Sequence, residues 1–491
     1  MRNPKNNDPD SNHYAFPLDF MVIVDLLTMK VKCIVRLPLG SDHATTEVGT
    51  AIPLQESNPA EPEYDHRLQK SPPRTTLKSY NVVQPNGPSF NVKGHLIEWE
   101  KHRFRVGFNW REGLTLHDLS FDGKSNFYRL SLSEMFVPYG DPREPLHRKG
   151  AFDLGNAGAG VTANNLQLGC DCLGAIKYWK HTNHRTGKAV VVRKRELVLQ
   201  TIITVANYEY IFAWIFDQSG SITFQTRATG ILSTQPIAKG VKVPWGTRVA
   251  DGVMAPYHQH IFNLRIDPAI GGHENSLTLT DSEALPWDET LNPYGTGYVT
   301  KEEVVPRAGH FDNDVTRNRV FKIINENVEN PVSLTPIGYK IVPIVSQLLL
   351  AHPGTWHSRR SEYADHAIWV TPYQDRQLFP AGDYTNQSIG GSGIASWPSI
   401  VSHAPVRNKD IVIWHTYGFT HNPRVEDFPV MPAEIAEVHL KPYNFELFNP
   451  ANDVPPSTQE VNKSVLVGDF KSLEKGNVVG AEGKLCDGCV V

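Results

Sequence analysis

The sequence predicts a mainly β protein, built as a large antiparallel β-sandwich. Segments rich in β-branched and aromatic residues recur along the 491 residues, separated by Gly, Pro, Asn and Asp. No motif repeats at a fixed period. One large core is compatible with this length, because all-β sandwiches often exceed about 200 residues as a single domain.

One long segment shows the strand pattern clearly. Residues 196–230, ELVLQTIITVANYEYIFAWIFDQSGSITFQTRATG, are predicted as two long strands joined by a turn at DQSG. Asp, Ser and Gly supply the turn chemistry between the two alternating segments. Tyr208 is then expected well inside the first strand. The polar group Asn-Tyr-Glu-Tyr is unusual in the middle of such an apolar run.

The charge balance excludes two classes of partner. Charged residues make up 20% of the chain and the formal net charge is -4, so no basic field is available for nucleic acid or an anionic membrane. We therefore expect a small-molecule ligand, with no nucleic acid and no membrane as partner. The first twenty residues lack the apolar core of a secretory signal, and no apolar run is long enough to span a membrane. These features favour an intracellular location, cytoplasmic or peroxisomal.

Two histidines in APYHQHIFNLRID suggest a metal site. His258 and His260 lie two residues apart in a strand-like alternation, so both side chains point to one face, roughly 6.5 Å apart along the strand. A third imidazole would complete a site that suits copper or zinc. His421 in WHTYGFTHNPRVED is the best candidate by context, and His415, His352 and His357 are alternatives that spacing does not separate.

An acidic residue follows in the segment GAFDLGNAGAG. Asp153 lies between an apolar pair and a glycine-rich bend, where partial burial would raise the pKa of its carboxyl group and make it a usable base. The alternative is a turn residue that caps the glycine-rich loop. The local sequence alone favours this alternative.

Taken together, these segments resemble the copper amine oxidases, whose strand motif is Thr-x-x-Asn-Tyr-(Asp/Glu)-Tyr. TVANYEY matches it at every fixed position. In that family copper and dioxygen oxidise the first tyrosine in place to the quinone topaquinone, so the resemblance makes Tyr208 the cofactor precursor. Asn207 is similar to the residue that restrains the quinone ring. Glu209 and Tyr210 receive no chemical role.

The same resemblance assigns roles to the other segments. His258, His260 and His421 correspond to the copper ligands, the last in the family segment that appears here as THNPRVED. Asp153 matches the catalytic base in Ala-Phe-Asp-x-Gly, and Tyr139 in VPYGDP matches the tyrosine that hydrogen-bonds the quinone oxygen. Two residues before the base, Ala151 matches the gate of the cofactor channel, and its small side chain implies a wide channel for varied amines.

A secondary metal site and an oligomeric state are also implied. In the family a calcium or manganese ion occupies a second site, which Asp267, Asp410 and the carbonyl of Ile411 would line here. Ala269 stands where many members carry another aspartate. The family sandwiches pair as homodimers that exchange hairpin arms, so a homodimer is expected.

The resemblance also predicts the domain organisation. It places the catalytic β-sandwich at residues 12–450 and a C-terminal tail at residues 451–491, where apolar periodicity is lost. The segments LSLSEMFVPYGDP, GVTANNLQLGCDC and FKIINENVENP are most similar to fungal members. Relatives normally carry two small α/β domains before the sandwich, and these are expected to be missing. An internal segment with a cysteine is also expected to be missing after GCDCLG, which removes the disulfide partner of Cys170 or Cys172.

The implied activity is that of a primary-amine oxidase. Amine, water and dioxygen would give aldehyde, ammonia and hydrogen peroxide, with copper and topaquinone as cofactors. A second hypothesis is an inactive copper-binding β-sandwich, a remnant of the family affected by the missing segments. A third is a histidine-ligated oxygenase without a built-in quinone.

Overall fold

The computed structural model describes residues 8–40, 46–47, 57–76, 87–166, 177–182, 189–342 and 345–455. Of residues 46–47, 177–182, 189–191 and 193 it describes the backbone alone. The predictions on Cys170 and Cys172, and the cysteines Cys486 and Cys489 of the tail, lie outside the described residues.

Strands dominate the described part of the chain. They are β1 Phe20–Asp25, β2 Lys30–Arg36, β3 Thr46–Glu47, β4 Phe90–Lys93, β5 Leu96–Trp99, β6 His102–Asn109, β7 Gly113–Phe121, β8 Lys124–Pro138, β9 Gly150–Phe152, β10 Lys177–Thr182, β11 Ala189–Lys194, β12 Glu196–Val205, β13 Tyr208–Asp217, β14 Ile222–Gly230, β15 Gln235–Pro236, β16 Gly246–Ala250, β17 Val253–Pro256, β18 His258–Pro268, β19 Ser276–Ala284, β20 Tyr298–Val304, β21 Gly309–Phe311, β22 Val320–Asn330, β23 Thr335–Val342, β24 Ile368–Pro372, β25 Ile411–His421 and β26 Met431–Tyr443.

Helical segments are short and lie in the connections. They are α1 Trp356–Arg360, α2 Pro398–Val401, 3-10 turns at His13–Ala15, Leu146–Arg148, Glu362–Asp365, Ile394–Ser396 and Val425–Asp427, and a π-helical turn at Asp153–Ala157. Among the residues that the structure describes, no helix is long and apolar enough to cross a membrane.

Two large antiparallel sheets form the body of the protein. The first has the order β21-β24-β25-β18-β8-β7-β6-β5-β4, with β9 paired to β8. The second has the order β12-β13-β14-β26-β23-β22-β19-β20. The remaining strands form three small sheets, β1-β2-β3, β10-β11 and β15-β17-β16. The predicted fold class, a large antiparallel β-sandwich, is confirmed.

Aromatic side chains from the two large sheets meet in one continuous core. Phe104 of β6 stacks on Phe216 of β13, with ring centroids 4.3 Å apart. Tyr210 and Phe212 of β13 contact the edge of Phe262 on β18, at 6.0 and 6.1 Å. Alternate residues of β13 therefore point into the core, as the period-2 geometry of a strand requires. This packing places the start of β13 against the start of β18.

The predicted position of Tyr208 within its strand was wrong. Val205 pairs with Tyr208, so Ala206 and Asn207 form a two-residue hairpin turn and the segment contains three strands, β12, β13 and β14. The sequence hid this turn because Ala206 takes a left-handed backbone conformation, φ 53°, that glycine usually supplies. Tyr208 is thus the first residue of β13, at one end of the sandwich.

Candidate metal centre and active site

Three histidines converge at the edge of the core between the two sheets. His258 and His260 begin β18, and His421 ends the neighbouring strand β25, where it is the register partner of His258. All three side chains are buried, and one ligand atom of each lies within 4.8 Å of the others. Two adjacent strands of the same sheet therefore supply the complete trio.

A second hydrogen-bond partner orients each imidazole. His258 Nδ1 lies 2.9 Å from the carbonyl of Pro256, and the Tyr210 hydroxyl lies 2.7 Å from His260 Nδ1. His421 Nε2 lies 3.2 Å from Asp427 Oδ2. These contacts leave one nitrogen of each ring directed at the others: His258 Nε2 and His421 Nδ1 are 3.3 Å apart.

The arrangement fits a copper ion. Among the described residues His260 Nε2 is buried without a hydrogen-bond partner, which is costly unless a ligand occupies it. Three imidazoles, each oriented through its other nitrogen, are a donor set that copper and zinc prefer.

Burial keeps the imidazoles of His258 and His260 in the neutral form that binds metals. Burial, with a smaller contribution from the nearby His421, lowers the pKa of His258 to about 3. Burial and the two neighbouring imidazoles hold the pKa of His260 well below its ordinary value. The hydrogen bonds that Asp427 accepts from the Arg424 backbone and from His421 lower its pKa, although burial acts in the opposite direction.

The alternative histidines are not part of the trio. His415 is buried in β25, with Nδ1 3.0 Å from the carbonyl of Ala367. His352 and His357 line a cavity of about 540 Å³ that borders Tyr139 and His258. Tyr208 and Asp153 are not among the residues that line this cavity. The cavity therefore reaches the site at His258, next to the imidazoles.

Tyr208 reaches the trio from the opposite sheet. Its hydroxyl group lies 2.8 Å from His258 Nε2, and its ring meets that of His260 edge-on at 4.8 Å. Burial raises the pKa of Tyr208 well above its ordinary value. The preceding Asn207 donates from Nδ2 to the carbonyl of Ile231 at 2.6 Å, which fixes the turn that aims the phenol.

Tyr139 forms the next contact of this group. Its ring stacks on His258 at 5.0 Å, and the ammonium of Lys149 lies 4.0 Å from the ring centroid. Its hydroxyl group lies near those of Ser233 and Tyr208, and burial, followed by the charge of Asp153, raises the pKa of Tyr139.

Asp153 begins the π-helical turn that follows β9. Its side chain is 7% exposed, and the carbonyl of Asp153 accepts a hydrogen bond from Gly158 N at 3.0 Å. Burial and, to a smaller extent, the charge of Glu134 raise the pKa of Asp153 well above its ordinary value. Ala151 lies two residues earlier on β9, paired with Val137 of β8, and is partly exposed.

The residues predicted for a secondary metal site lie together at the far end of β18. Asp267 accepts a hydrogen bond from Arg265 at 2.9 Å, and its Oδ1 is buried with no partner among the described residues. Burial raises the pKa of Asp267 to about 6, and the nearby charge of Asp410 acts in the same direction. Ile411 begins β25, and Ala269 supplies no oxygen from its side chain.

Four residues of this centre were not predicted to take part. Tyr210 and Asp427 hold copper-ligand candidates, and Lys149 and Glu134 lie beside Tyr139 and Asp153. Asp427 carries a signal in the sequence, because it lies six residues after His421 in THNPRVED. The other three depend on which strands become neighbours, which local sequence does not specify.

Comparison with known proteins identifies the family. The family described as "Copper amine oxidase, enzyme domain" matches residues 91–179 and 178–461. The two parts meet at Tyr178 and Trp179, a few residues after GCDCLG, the segment behind which a missing piece is predicted. Copper amine oxidase 1 of Aspergillus niger is 44% identical, over 95% of this chain and 74% of that protein.

Two further relatives have informative names. Peroxisomal primary amine oxidase of Pichia angusta is 35% identical, over 98% of this chain and 74% of that protein. A solved structure, the copper-containing benzylamine oxidase from Hansenula polymorpha, has a TM-score of 0.86 and 45% identity, covering 93% of this chain and 75% of that one. The chain therefore belongs to the copper amine oxidases, which are oxidoreductases.

Proposed function

We propose that this protein is a primary-amine oxidase that converts a primary amine, water and dioxygen into an aldehyde, ammonia and hydrogen peroxide. Copper would be held by His258, His260 and His421, and topaquinone would derive from Tyr208. The observation that carries this proposal is the Tyr208 hydroxyl, 2.8 Å from a ligand nitrogen of the trio. An unmodified phenol with this burial would otherwise only pack or donate a hydrogen bond.

The bound cofactors supply an electron sink that takes two electrons from the amine and delivers them to dioxygen. The chain itself supplies proton transfer and orientation. Asp153 accepts the proton from the carbon beside the amine nitrogen, and its raised pKa makes it a stronger base than an exposed carboxylate. Tyr139 hydrogen-bonds the oxygen of residue 208 and fixes its position. Asn207 restrains the same residue through its bond to Ile231.

The entrance to the site would lie beside Ala151. Its small, partly exposed side chain leaves room for substituents on the amine. Names of relatives support primary amines as the substrate class, and one relative acts on benzylamine by its name.

The decisive experiment follows the quinone directly. Copper-loaded, aerated protein should develop a visible quinone band and form a phenylhydrazine adduct on the peptide that contains Tyr208. Tyr208→Phe should lose the band, the adduct and the turnover, while Tyr339→Phe should retain all three. Tyr339 is a matched control because it is equally buried but bonds Asn126 and Gly220 instead.

Two other outcomes identify the competing functions. Copper binding without any band or adduct in the wild type would leave an inactive copper-binding β-sandwich. Turnover that persists in Tyr208→Phe would indicate a histidine-ligated oxygenase. The buried, oriented trio and the adjacent phenol support the oxidase.

The remaining assignments are also proposals. We propose a homodimer, which light scattering tests, since a monomer mass would contradict it.

We also propose a calcium or manganese ion at Asp267, Asp410 and Ile411, supported by the unpaired Asp267 oxygen. Metal analysis tests this proposal, because Asp267→Asn should contain less of this ion than the wild type. The domain bounds 12–450 and 451–491 are tested by limited proteolysis. A cytoplasmic or peroxisomal location, the latter supported by the name of the Pichia angusta relative, is tested by imaging a fluorescent fusion.

A further inference from the structure

A buried carboxylate contacts the turn that carries Asp153 and has no role in the mechanism above. Glu134 of β8 is fully buried. Burying a charged group is costly unless it is paired and hydrogen-bonded, so its partners define what it does.

The Glu134 carboxylate is bonded on both oxygens. Oε1 accepts a hydrogen bond from Gly155 N at 3.1 Å and another from Met135 N at 3.1 Å. Oε2 accepts one from Arg111 Nη2 at 3.1 Å. Gly155 belongs to the turn that Asp153 begins, so Glu134 is attached directly to the backbone that carries the base.

Arg111 is itself held in place. Its guanidinium donates to the carbonyls of Asp383 at 2.5 Å and Gly382 at 3.1 Å, and lies 3.6 Å from the ring centroid of Phe379. A guanidinium held on several sides cannot follow a moving carboxylate, so the Arg111–Glu134 pair is a rigid support.

The turn fits closely against this support. A Cβ on Gly155 would lie 2.1 Å from Thr385 Oγ1 and 3.0 Å from Glu134 Oε2. Thr385 Oγ1 also donates to Asn156 Oδ1 at 2.8 Å. Residues 153–157 are thus held through Gly155 and Asn156, which fixes the direction of the Asp153 side chain.

Among the described residues, few charged groups act on Asp153. The titratable groups that interact with it are Glu134 and the phenols Tyr139, Tyr210 and Tyr363. Phenols are neutral at ordinary pH. The guanidinium of Arg111 is hydrogen-bonded to Glu134. Burial raises the pKa of Glu134 too, but Arg111 and two backbone N–H groups oppose this effect. The hydrogen bonds from Arg111 and the two backbone N–H groups therefore stabilise the charged form of Glu134.

We propose that Glu134 is a positioning residue for the base: it fixes the turn of Asp153 through Gly155 N–H, and its charge, paired with Arg111, acts on the Asp153 carboxyl group. This inference rests on the proposed role of Asp153. Like charges at close range resist simultaneous ionisation, so Asp153 binds a proton more tightly and acts as a stronger base.

The experiment is anaerobic mixing of the quinone-containing enzyme with methylamine or benzylamine across a range of pH. The rate at which the quinone band bleaches is limited on the acid side by protonated Asp153. Glu134→Gln should move the acid-side midpoint down by about one pH unit and lower the plateau rate several-fold, because the base becomes weaker. Glu112→Gln is the matched control, a buried glutamate paired with Arg129 at 2.5 Å, and should keep the wild-type profile.

Glu134→Asp separates the positioning effect from the charge effect, and it replaces Glu134→Gln in the test if the glutamine variant does not fold. It keeps the charge but shortens the reach to Gly155, so the plateau should fall while the midpoint stays. An unchanged midpoint in Glu134→Gln, or an unchanged plateau in Glu134→Asp, overturns the proposal. Absence of bleaching in the wild type would instead refute the proposed function.

Discussion

Replacing Asp427 with alanine should weaken copper binding without removing a metal ligand. The Asp427 carboxylate is 2% exposed and holds His421 Nε2 at 3.2 Å, which leaves His421 Nδ1 for the metal. Loss of such a partner typically lowers metal affinity 10- to 100-fold, which corresponds to about 1.4–2.7 kcal/mol of binding free energy.

The same carboxylate also stabilises the local fold, and the assay must separate the two effects. Asp427 accepts hydrogen bonds from Arg424 N at 2.9 Å and Arg424 Nε at 3.2 Å. Their loss should lower the free energy of unfolding by about 1–2 kcal/mol. Affinity is therefore measured by competition with a chelator of known strength, at a temperature where the copper-free variant is folded.

Glu426→Ala is the control, because Glu426 is the exposed neighbour of Asp427 in the same turn. It should bind copper like the wild type. Asp427→Asn should fall between the wild type and Asp427→Ala, because its amide oxygen still accepts a hydrogen bond without a charge. Equal affinity in Asp427→Ala and Glu426→Ala would refute the reasoning that His421 depends on this carboxylate.

Three further predictions concern the fold and the site. Gly230→Ala should lower the free energy of unfolding in urea by about 3 kcal/mol, because φ is 106° and a Cβ would lie 2.7 Å from the carbonyl of the turn residue that precedes Tyr208. Gly123→Ala is the control, with φ 75° and no atom within 4 Å of the added Cβ, and should lower it by about 1 kcal/mol. Equal losses in the two variants would contradict this. Burial lowers the pKa of His102 to about 4 in the folded protein. As the pH falls below about 6.5, the unfolded chain therefore binds a proton at His102 while the folded protein does not, and the free energy of unfolding decreases. That loss should be about 2 kcal/mol between pH 7 and pH 5 in copper-free protein, and a His102→Asn variant with the same slope would exclude it. Tyr210→Phe removes the partner of His260 and should weaken copper binding about tenfold, which the chelator competition checks.

The fold class and the convergence of the first two histidines of the proposed metal site could be predicted because both follow from short-range periodicity. Alternation every two residues marks the strands and places His258 and His260 on one face of β18. The third ligand could not be chosen this way. His415 and His421 both lie in β25, and the pairing of β18 with β25 puts His258 opposite His421 and His415 opposite Leu264. That register is a long-range property, and the family resemblance supplied the choice that local chemistry did not.

The turn before Tyr208 shows a different limit. Val205, Ala206 and Asn207 carry no glycine to mark a reversal, so alternation seemed to continue through them. The structure supports the left-handed conformation of Ala206 from outside the segment, through the bond from Asn207 to the carbonyl of Ile231. Strained turns held by tertiary contacts occur preferentially at functional sites, and this one places Tyr208, the proposed cofactor precursor.

The division of the site between two sheets has a consequence for assembly. His258, His260 and His421 belong to one sheet, so the metal site depends on the pairing of β18 with β25 alone. Tyr208 reaches it only when β13 of the other sheet packs on β18. The proposed copper binding and quinone formation would therefore require different parts of the fold. A change that loosens the packing of Tyr210 and Phe212 on Phe262 should reduce quinone formation more than it reduces copper content, since the ligand atoms stay on their own sheet.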